Sequence, residues 1–366
     1  MISTLALTIA LVSGSCSAPG PRAASAMRGP LATGVLGADH ECVNPANAHV
    51  TVDWSRLRNP IVSSSSAGEK DQVMTWFHGR WYLIFSYLRD EPSGPGGVSW
   101  DIATSSSTNM SSWTPPDPWP AQRGVLGVAA PQLVRDPQGK FVVTYQSDPG
   151  QRNGGQDRLY YRTSGNFVTW SDPHPLAHSL APDPGDRMID GSLAWTPHGL
   201  ILGYKAGLEG SAQAFEIAWS PDGSLEGPWH YVGKPDIVVN GGTVERYEFL
   251  SIDDSWHLMA TSNVLDQPWL FRLSGNPDEP SGWLHWADGY ELAIPRAAWD
   301  TGPGISSANY EWANASFLCN ASSTDGYYYL LYAGSDELSQ FGGWGHAEIG
   351  IARSRNLVDW QVPAAT

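Results

Sequence analysis

The chain has 366 residues and a formal net charge of −16, with 37 Asp and Glu against 21 Lys and Arg. Such an acidic balance disfavours nucleic acid or an anionic membrane surface as a partner, since both are bound by clusters of Lys and Arg. The chain also contains 39 Gly, 28 Pro and 18 Trp, and no long stretch has the 3.6-residue period of an amphipathic helix. The composition therefore predicts an all-β protein.

The N-terminal segment is apolar from Leu5 to Val12 and is followed by small residues. This pattern predicts a secretory signal peptide over residues 1–18, because the apolar run is too short to span a bilayer. Residues 19–45 are rich in Pro, Gly and Ala and are expected to form a flexible lead-in. We therefore expect a secreted protein whose folded domain spans residues 46–366.

The chain has three cysteines, Cys16, Cys42 and Cys319. Cys16 is expected to leave with the signal peptide, and a lipidated cysteine is the alternative. The two remaining cysteines are expected to pair in an oxidising compartment. Because Cys42 lies at the front of the folded region and Cys319 near its end, the disulfide would tie the N-terminal segment to the last part of the fold.

A two-stranded hairpin with a short polar turn recurs five times along the chain. The five copies begin at Asp71, Ala130, Ile189, Val244 and Ala313. Each copy is followed by a further strand, a polar turn and a tryptophan, namely Trp113, Trp170, Trp229, Trp283 and Trp360. Five units of four short strands predict a five-bladed β-propeller, in which radial repetition hides the sheet edges. A β-sandwich is the rival architecture, but it does not need the same unit five times.

Three of the five hairpins, aligned by their turns, start with a carboxylate: Asp71, Asp190 and Glu245. The innermost strand of each blade starts at the mouth of the channel, so we expect these side chains to converge on one funnel. Inverting cleavage of a glycosidic bond needs one carboxylate to activate water and another to protonate the leaving oxygen. A third carboxylate beside the acid raises the pKa of that acid and keeps it protonated. The pattern predicts a glycoside hydrolase, with a non-catalytic carbohydrate-binding propeller as the alternative.

The five hairpins resemble those of glycoside hydrolase family 43, the five-bladed arabinanases, arabinofuranosidases and β-xylosidases. The resemblance covers roughly residues 58–363, and it is carried by Asp71 ten residues before Trp81-Tyr82, by Met188-Ile189-Asp190, and by Glu245 thirteen residues before Leu258. It implies that Asp71 is the general base, Asp190 the residue that raises the pKa of the acid, and Glu245 the general acid. The implied substrate is a plant polysaccharide that contains arabinose or xylose. The smaller glycoside hydrolase family 62 has a similar plan.

The motif departs from the family at two positions. Gln72 follows the base where the family has Pro, and Arg246-Tyr247 follow the acid where the family has a small residue and Pro. Glu248 is therefore a rival for the role of general acid.

Fructan-cleaving five-bladed enzymes, which retain the anomer, offer a second comparison. They carry an Arg-Asp-Pro motif, and this chain has Arg135-Asp136-Pro137. Asp136 comes just before a hairpin turn, however, and is expected to be a turn residue.

Aromatic and basic side chains are candidates for contacts with sugar faces and hydroxyls. They are Trp76, Trp100, Trp195, Trp344, Arg246 and Arg353. Core packing or a solvated surface position is the alternative for each. Related propellers can hold Ca²⁺ on the channel axis, and His346 is a candidate for contact with such an ion through water. No cofactor is required for the expected reaction, and the protein is expected to act as a monomer on a polysaccharide or oligosaccharide.

Overall fold

Five four-stranded antiparallel sheets form the core of the computed structural model. The structure describes residues 52–94, 97–148, 157–181, 186–207, 214–235, 237–262, 267–300, 314–320, 325–335 and 346–365. The predicted signal peptide and lead-in lie outside the described residues, as do Cys42 and Trp344. Within the described part of the chain, no helix has the length and apolar character needed to cross a membrane.

Each sheet consists of four strands that follow one another in sequence. Blade one contains β2 (Gly68–Phe77), β3 (Arg80–Asp90), β4 (Val98–Ser107) and β5 (Asp117–Pro118), and blade two contains β6 (Gly127–Arg135), β7 (Phe141–Asp148), β8 (Arg158–Ser164) and β9 (His174–Pro175). Blade three contains β10 (Arg187–Thr196), β11 (Gly199–Gly207), β12 (Ala214–Ser220) and β13 (His230–Gly233). Blade four contains β14 (Val244–Ile252), β15 (Ser255–Ser262), β16 (Pro268–Arg272) and β17 (Tyr290–Glu291). Blade five contains β18 (Asn314–Asn320), β19 (Tyr328–Gly334), β20 (Glu348–Ser354) and β21 (Trp360–Gln361). Short 3₁₀ helices lie at Trp54–Arg56, His178–Leu180, Pro280–Leu284 and Ala298–Asp300.

The first strands of the five blades form a closed ring. β2 contacts β6, β6 contacts β10, β10 contacts β14, β14 contacts β18, and β18 returns to β2. The structure is therefore a five-bladed β-propeller, which confirms the all-β prediction with five repeated units.

The segment before blade one closes this ring on blade five. A two-residue strand, β1 (Arg58–Asn59), pairs in parallel with β22 (Ala364–Ala365) near the end of the chain. The buried Asn59 side chain donates to the carbonyl of Ile351 and accepts from the Ile351 N–H, each at 3.0 Å. Cys319 is fully buried in β18. Its pairing with Cys42 stays a prediction, because Cys42 is not among the described residues.

The tryptophans that recur in the sequence are anchored by polar turns. In blades one, two and five, an Asn side chain accepts the N–H groups two and three residues further on, at 2.8–3.1 Å. The residue after each Asn is buried in a left-handed conformation, with φ of 59–62° at Met110, Phe167 and Leu357. The indoles of Trp113 and Trp360 donate to the carbonyls of Met110 and Leu357. In blades one and five an Asx turn thus holds the tryptophan through its indole N–H.

Glu69 is fully buried where blade one meets blade five. Its N–H donates to the Ala347 carbonyl at 2.7 Å, and neither carboxyl oxygen has a hydrogen-bond partner among the described residues. Burial, reinforced by the nearby Glu348 carboxylate, raises the pKa of Glu69 from 4.5 to about 8. The folded protein therefore holds this side chain in its protonated form at neutral pH.

The titration of Glu69 predicts how stability depends on pH. The unfolded chain releases this proton near pH 4.5 and the folded chain near pH 8, so the contribution is complete below pH 4.5 and is lost as the pH rises to 8. The free energy of unfolding is expected to fall by up to about 1.4 kcal/mol per pH unit over that window. Glu69→Gln should flatten the slope in urea denaturation at several pH values. Glu279→Gln, at an exposed position, is the control, and an unchanged slope in Glu69→Gln would contradict the assignment.

Candidate active site

Every inner strand contains a β-bulge near its start. The register shifts fall between Lys70 and Val73, Ala129 and Gln132, Ile189 and Ser192, Glu245 and Glu248, and Ala315 and Phe317. In blades one to four a bulge residue has a left-handed φ of 55–57°, at Asp71, Ala130, Asp190 and Arg246. Asp adopts this conformation more readily than Ala or Arg, and a bulge redirects its side chain away from the regular alternation. Three charged side chains are therefore re-aimed from equivalent positions of three blades.

The bulges of blades one to four contribute to a cavity of about 270 Å³. Its lining comprises Lys70, Asp71, Trp100, Ala129, Ala130, Gln146, Asp157, Arg187, Ile189, Asp190, Lys205, Glu245 and Arg246. Asp71, Asp190 and Glu245, the three carboxylates singled out in the sequence, all lie in this lining. The lining draws on blades one to four, so the cavity exists only in the assembled ring.

The Arg246 guanidinium lies between the two aspartates of the cavity lining. Its Nε is 3.4 Å from Asp71 Oδ1, and its Nη1 is 3.5 Å from Asp190 Oδ1. Its Nη2 donates to the Pro131 carbonyl at 3.2 Å, and the Arg246 backbone N–H donates to Asp190 Oδ2 at 3.4 Å. All three charged side chains are at most 6 % exposed. The guanidinium is thus engaged with two carboxylates and a carbonyl, and its predicted contact with sugar hydroxyls stays a prediction.

The two aspartates differ in their electrostatic surroundings. Burial acts to raise the pKa of Asp71, but the Arg246 and Lys70 charges and a hydrogen bond from Ser86 outweigh it, and the pKa lies below its ordinary value. Burial raises the pKa of Asp190, and the Glu245 and Asp71 charges add to that effect against the opposing cations. The cavity thus combines a readily ionised aspartate with one that holds its proton more strongly.

Cations accompany the other carboxylates of the cavity. Lys205 Nζ is 2.8 Å from Glu245 Oε2, and Arg187 Nε is 2.6 Å from Asp157 Oδ2. Glu245 remains 26 % exposed, which leaves it accessible to a bound molecule.

One wall of the cavity carries an aromatic side chain. Trp100 packs against the backbone position of Gly127, and the Lys70 ammonium lies 5.8 Å from the Trp100 ring centroid. Trp100 is the one aromatic residue in the described lining, so it offers a flat surface for a sugar ring.

Ser86 connects the site to the neighbouring blade. Its hydroxyl donates to Asp71 Oδ2 at 2.8 Å and accepts from the Ala130 N–H at 2.8 Å. Gln146 accepts the Asp190 N–H at 3.2 Å in a similar way. Both aspartates are therefore held by their surroundings as well as by their own strands.

Glu248, the rival acid in the sequence, lies outside the described cavity lining. It is 1 % exposed and accepts the backbone N–H of Leu318 in blade five at 2.6 Å. Burial raises the pKa of Glu248 well above its ordinary value. The two residues between it and Glu245 belong to the bulge, and Glu248 follows the bulge inside the blade interface.

Three further candidates for substrate contact also lie elsewhere. Trp76 packs edge-on against Trp81 with ring centroids 5.1 Å apart. Trp195 is buried in the blade core, where its indole donates to the Gly223 carbonyl at 3.1 Å. The Arg353 guanidinium lies 4.2 Å from the ring centroids of both Trp54 and Tyr327. These residues make core-packing and cation–π contacts outside the described cavity lining, and their contact with a sugar stays a prediction.

Asp136 shapes a turn, as the sequence predicts. Its side chain accepts the N–H groups of Gln138 and Lys140 at 3.0 and 2.8 Å, and it is not part of the described cavity lining.

The described residues do not fit a Ca²⁺ ion at the cavity. Among them, no group of three or more His, Cys, Asp or Glu side chains is arranged to hold a metal. His346 Nε2 is hydrogen-bonded to the Ser64 carbonyl, and the space between Asp71 and Asp190 holds a guanidinium that already carries a positive charge. A second cation there would face repulsion from Arg246.

Comparisons with known proteins identify the fold. No protein-family model matches the sequence, and no curated protein matches it. A glycosyl hydrolase from Bacteroides ovatus superposes with a TM-score of 0.57 at 12 % identity, over 82 % of this chain and 87 % of its own. An α-L-arabinofuranosidase from Lactobacillus brevis gives 0.57 at 12 % identity, over 86 % of this chain and 100 % of its own. A xylan β-1,4-xylosidase from Bacillus halodurans gives 0.53 at 17 % identity, over 84 % of this chain and 56 % of its own. At such identities the likeness establishes a shared propeller fold.

Removal of the Ser86 hydroxyl tests how far the ring supports the site. Ser86→Ala leaves the buried Ala130 N–H without its acceptor and Asp71 without a donor, so a loss of about 1–3 kcal/mol is expected in chemical denaturation. Ser55→Ala removes an exposed hydroxyl that donates to Asp53, and it is the control. Equal stability of the two variants would show that the link between blades one and two is dispensable.

Proposed function

We propose that this protein is a secreted, monomeric glycoside hydrolase of the family 43 type, which cleaves a plant polysaccharide containing arabinose or xylose with inversion. The observation that carries the proposal is the convergence of Asp71, Asp190 and Glu245, one from the inner strand of each of three blades, on one cavity. The fold shared with an arabinofuranosidase and a xylosidase agrees with this substrate class.

Asp71 has the properties of a general base. Arg246, Lys70 and the Ser86 hydroxyl favour its carboxylate form, which is the form that accepts a proton from water. The Ser86 bond fixes Oδ2, and the carboxylate is oriented by its strand bulge.

Glu245 is the general acid in this scheme. It is the most exposed of the three carboxylates, so a glycosidic oxygen can approach it. Lys205, 2.8 Å away, stabilises the carboxylate that remains after the proton has been transferred to the leaving group. The charges of both Glu245 and Asp71 raise the pKa of Asp190. This mutual coupling suits Asp190 to modulate the pKa of the acid.

The rest of the lining fits an uncharged sugar. Trp100 supplies a stacking surface, and Gln146, Lys70 and Arg187 supply groups that bond to hydroxyls. The chemistry needs no cofactor, because water is the nucleophile and carboxylates move the protons.

Paired substitutions distinguish catalysis from binding alone. Asp71→Asn and Glu245→Gln should each lower kcat by about 10²–10⁴-fold, because each removes one proton-transfer group. Nitrophenyl glycosides with branched and debranched arabinans form the substrate panel. Glu248→Gln keeps an acceptor for the Leu318 N–H and is the matched control, with near wild-type activity. Sugar binding by all variants, with no turnover by the wild-type protein, would favour a carbohydrate-binding propeller instead.

The stereochemical course provides a separate test. With inversion, the first product has the anomeric configuration opposite to that of the substrate. Proton NMR immediately after mixing measures this configuration. A retained anomer would contradict single displacement and would favour the covalent route of the fructan-cleaving propellers.

A further inference from the structure

We propose that Arg246 is a positioning residue, whose buried guanidinium lies between Asp71 and Asp190 and holds both carboxyl groups in place for the reaction. This inference rests on the proposed function and goes beyond it, because it assigns a role to a residue at which the chain departs from the family motif.

The position of Arg246 follows from the repeat itself. Asp71, Asp190 and Arg246 occupy the same left-handed bulge position in blades one, three and four, with φ of 57°, 55° and 56°. A left-handed arginine is about 1–2 kcal/mol less favourable than a regular strand residue, so its environment must compensate for this conformation. The compensating contacts are those with the two aspartates.

Burial separates Arg246 from an arginine that binds substrate from the cavity wall. Its side chain is 4 % exposed, whereas that of Arg187 in the same lining is 26 % exposed. The Arg246 Nη2 is already bonded to the Pro131 carbonyl, and the Nε and Nη1 edge faces Asp71 and Asp190. The Asp71 and Asp190 side chains are buried to the same degree, at 5 % and 6 % exposed, so Arg246 belongs with them to one buried charged group.

The guanidinium fork suits this task better than an ammonium group. Arg presents five N–H donors in a fixed plane, which lets one side chain address two carboxylates and a carbonyl. The Arg246 backbone N–H adds a contact to Asp190 Oδ2 at 3.4 Å. One residue thus holds Asp190 from both its backbone and its side chain.

The charge of Arg246 also favours the ionised form of both aspartates. Burial disfavours that form at each of them, and the Arg246 charge is the first of the groups that oppose burial at both. The other charged groups that face the pair are Lys70 from β2, Lys205 from β11 and Glu245 from β14. Two cations lower the pKa of Asp71, Arg246 and Lys70. Without Arg246, only Lys70 of these two would remain.

The test replaces Arg246 and follows both activity and titration. In Arg246→Gln, the acid limb of the kcat/KM profile should shift to higher pH by one unit or more. The reason is that Asp71 loses Arg246, the cation with the larger effect on its pKa. ¹³C NMR of Asp-labelled protein, with Asp71→Asn for assignment, should show the same upward shift in the Asp71 carboxyl titration. Arg56→Gln removes an exposed arginine that pairs with Asp53 and lies outside the described cavity lining, and it is the control, with an unmoved acid limb.

An Asp71 titration in Arg246→Gln that matches the wild type would overturn the proposal, whatever happens to the melting temperature. If the wild-type protein turns over no glycoside but the NMR titration moves, the proposed function fails and the positioning role stands.

If the Gln variant does not fold, Arg246→Lys is the second test. This variant retains the positive charge and loses the planar guanidinium group. It is expected to lower kcat by about tenfold with KM unchanged, since misplaced carboxylates slow the chemical step. A raised KM with unchanged kcat would instead make Arg246 a substrate-binding residue and overturn the proposal.

Discussion

Hydrogen bonds between neighbouring blades hold the inner strands of this propeller in register. A bulge leaves backbone N–H groups unpaired within their own sheet, and a buried unpaired N–H is costly. Each blade supplies an acceptor to the next inner strand. The links around the ring are Ser86 to the Ala130 N–H, Gln146 to the Asp190 N–H, Ser192 to the Phe249 N–H, Glu248 to the Leu318 N–H, and the Ala347 carbonyl to the Glu69 N–H. Two of these N–H groups, those of Ala130 and Asp190, belong to bulge residues, so the adjacent blade satisfies the bulges of blades two and three.

This dependence makes closure of the ring a condition for the site. The clasp of Asn59 on Ile351 completes the circle, and the Glu69 link lies at the same boundary. Ser86 connects the ring to the site, because its hydroxyl accepts the Ala130 N–H of blade two and also donates to Asp71. The left-handed backbone conformations of Asp71 and Asp190 are strained, and contacts with neighbouring blades hold them in place. Strained conformations of this kind are typical of functional sites.

Local patterns in the sequence predict the architecture, and contacts between distant segments decide the details of the site. The hairpins and Asx turns are complete within short segments, so the fold and the register of Asp71 and Asp190 follow from the repeat. The role of Glu248 does not, because its partner Leu318 lies 70 residues away. Lys205 gives one signal, a lysine within the apolar strand β11, but its Glu245 partner is 40 residues distant. Ser86 and the Asp157–Arg187 pair give no comparable signal, since serines and loop charges are common in the sequence.

Charge is distributed differently in the cavity lining and in the chain as a whole. The chain has only 21 Lys and Arg, and four of them line this one cavity, beside four carboxylates. Formal charges in the described lining thus sum to zero although the whole chain carries −16. Burial disfavours the ionised form of both aspartates, and two cations oppose it at each: Arg246 and Lys70 at Asp71, Arg246 and Lys205 at Asp190. The Ser86 hydrogen bond further favours ionisation of Asp71, whereas the Glu245 and Asp71 charges favour protonation of Asp190. Acid–base chemistry requires such an inequality between neighbouring carboxyl groups, and here a hydroxyl donor at one aspartate and carboxylate neighbours at the other provide it.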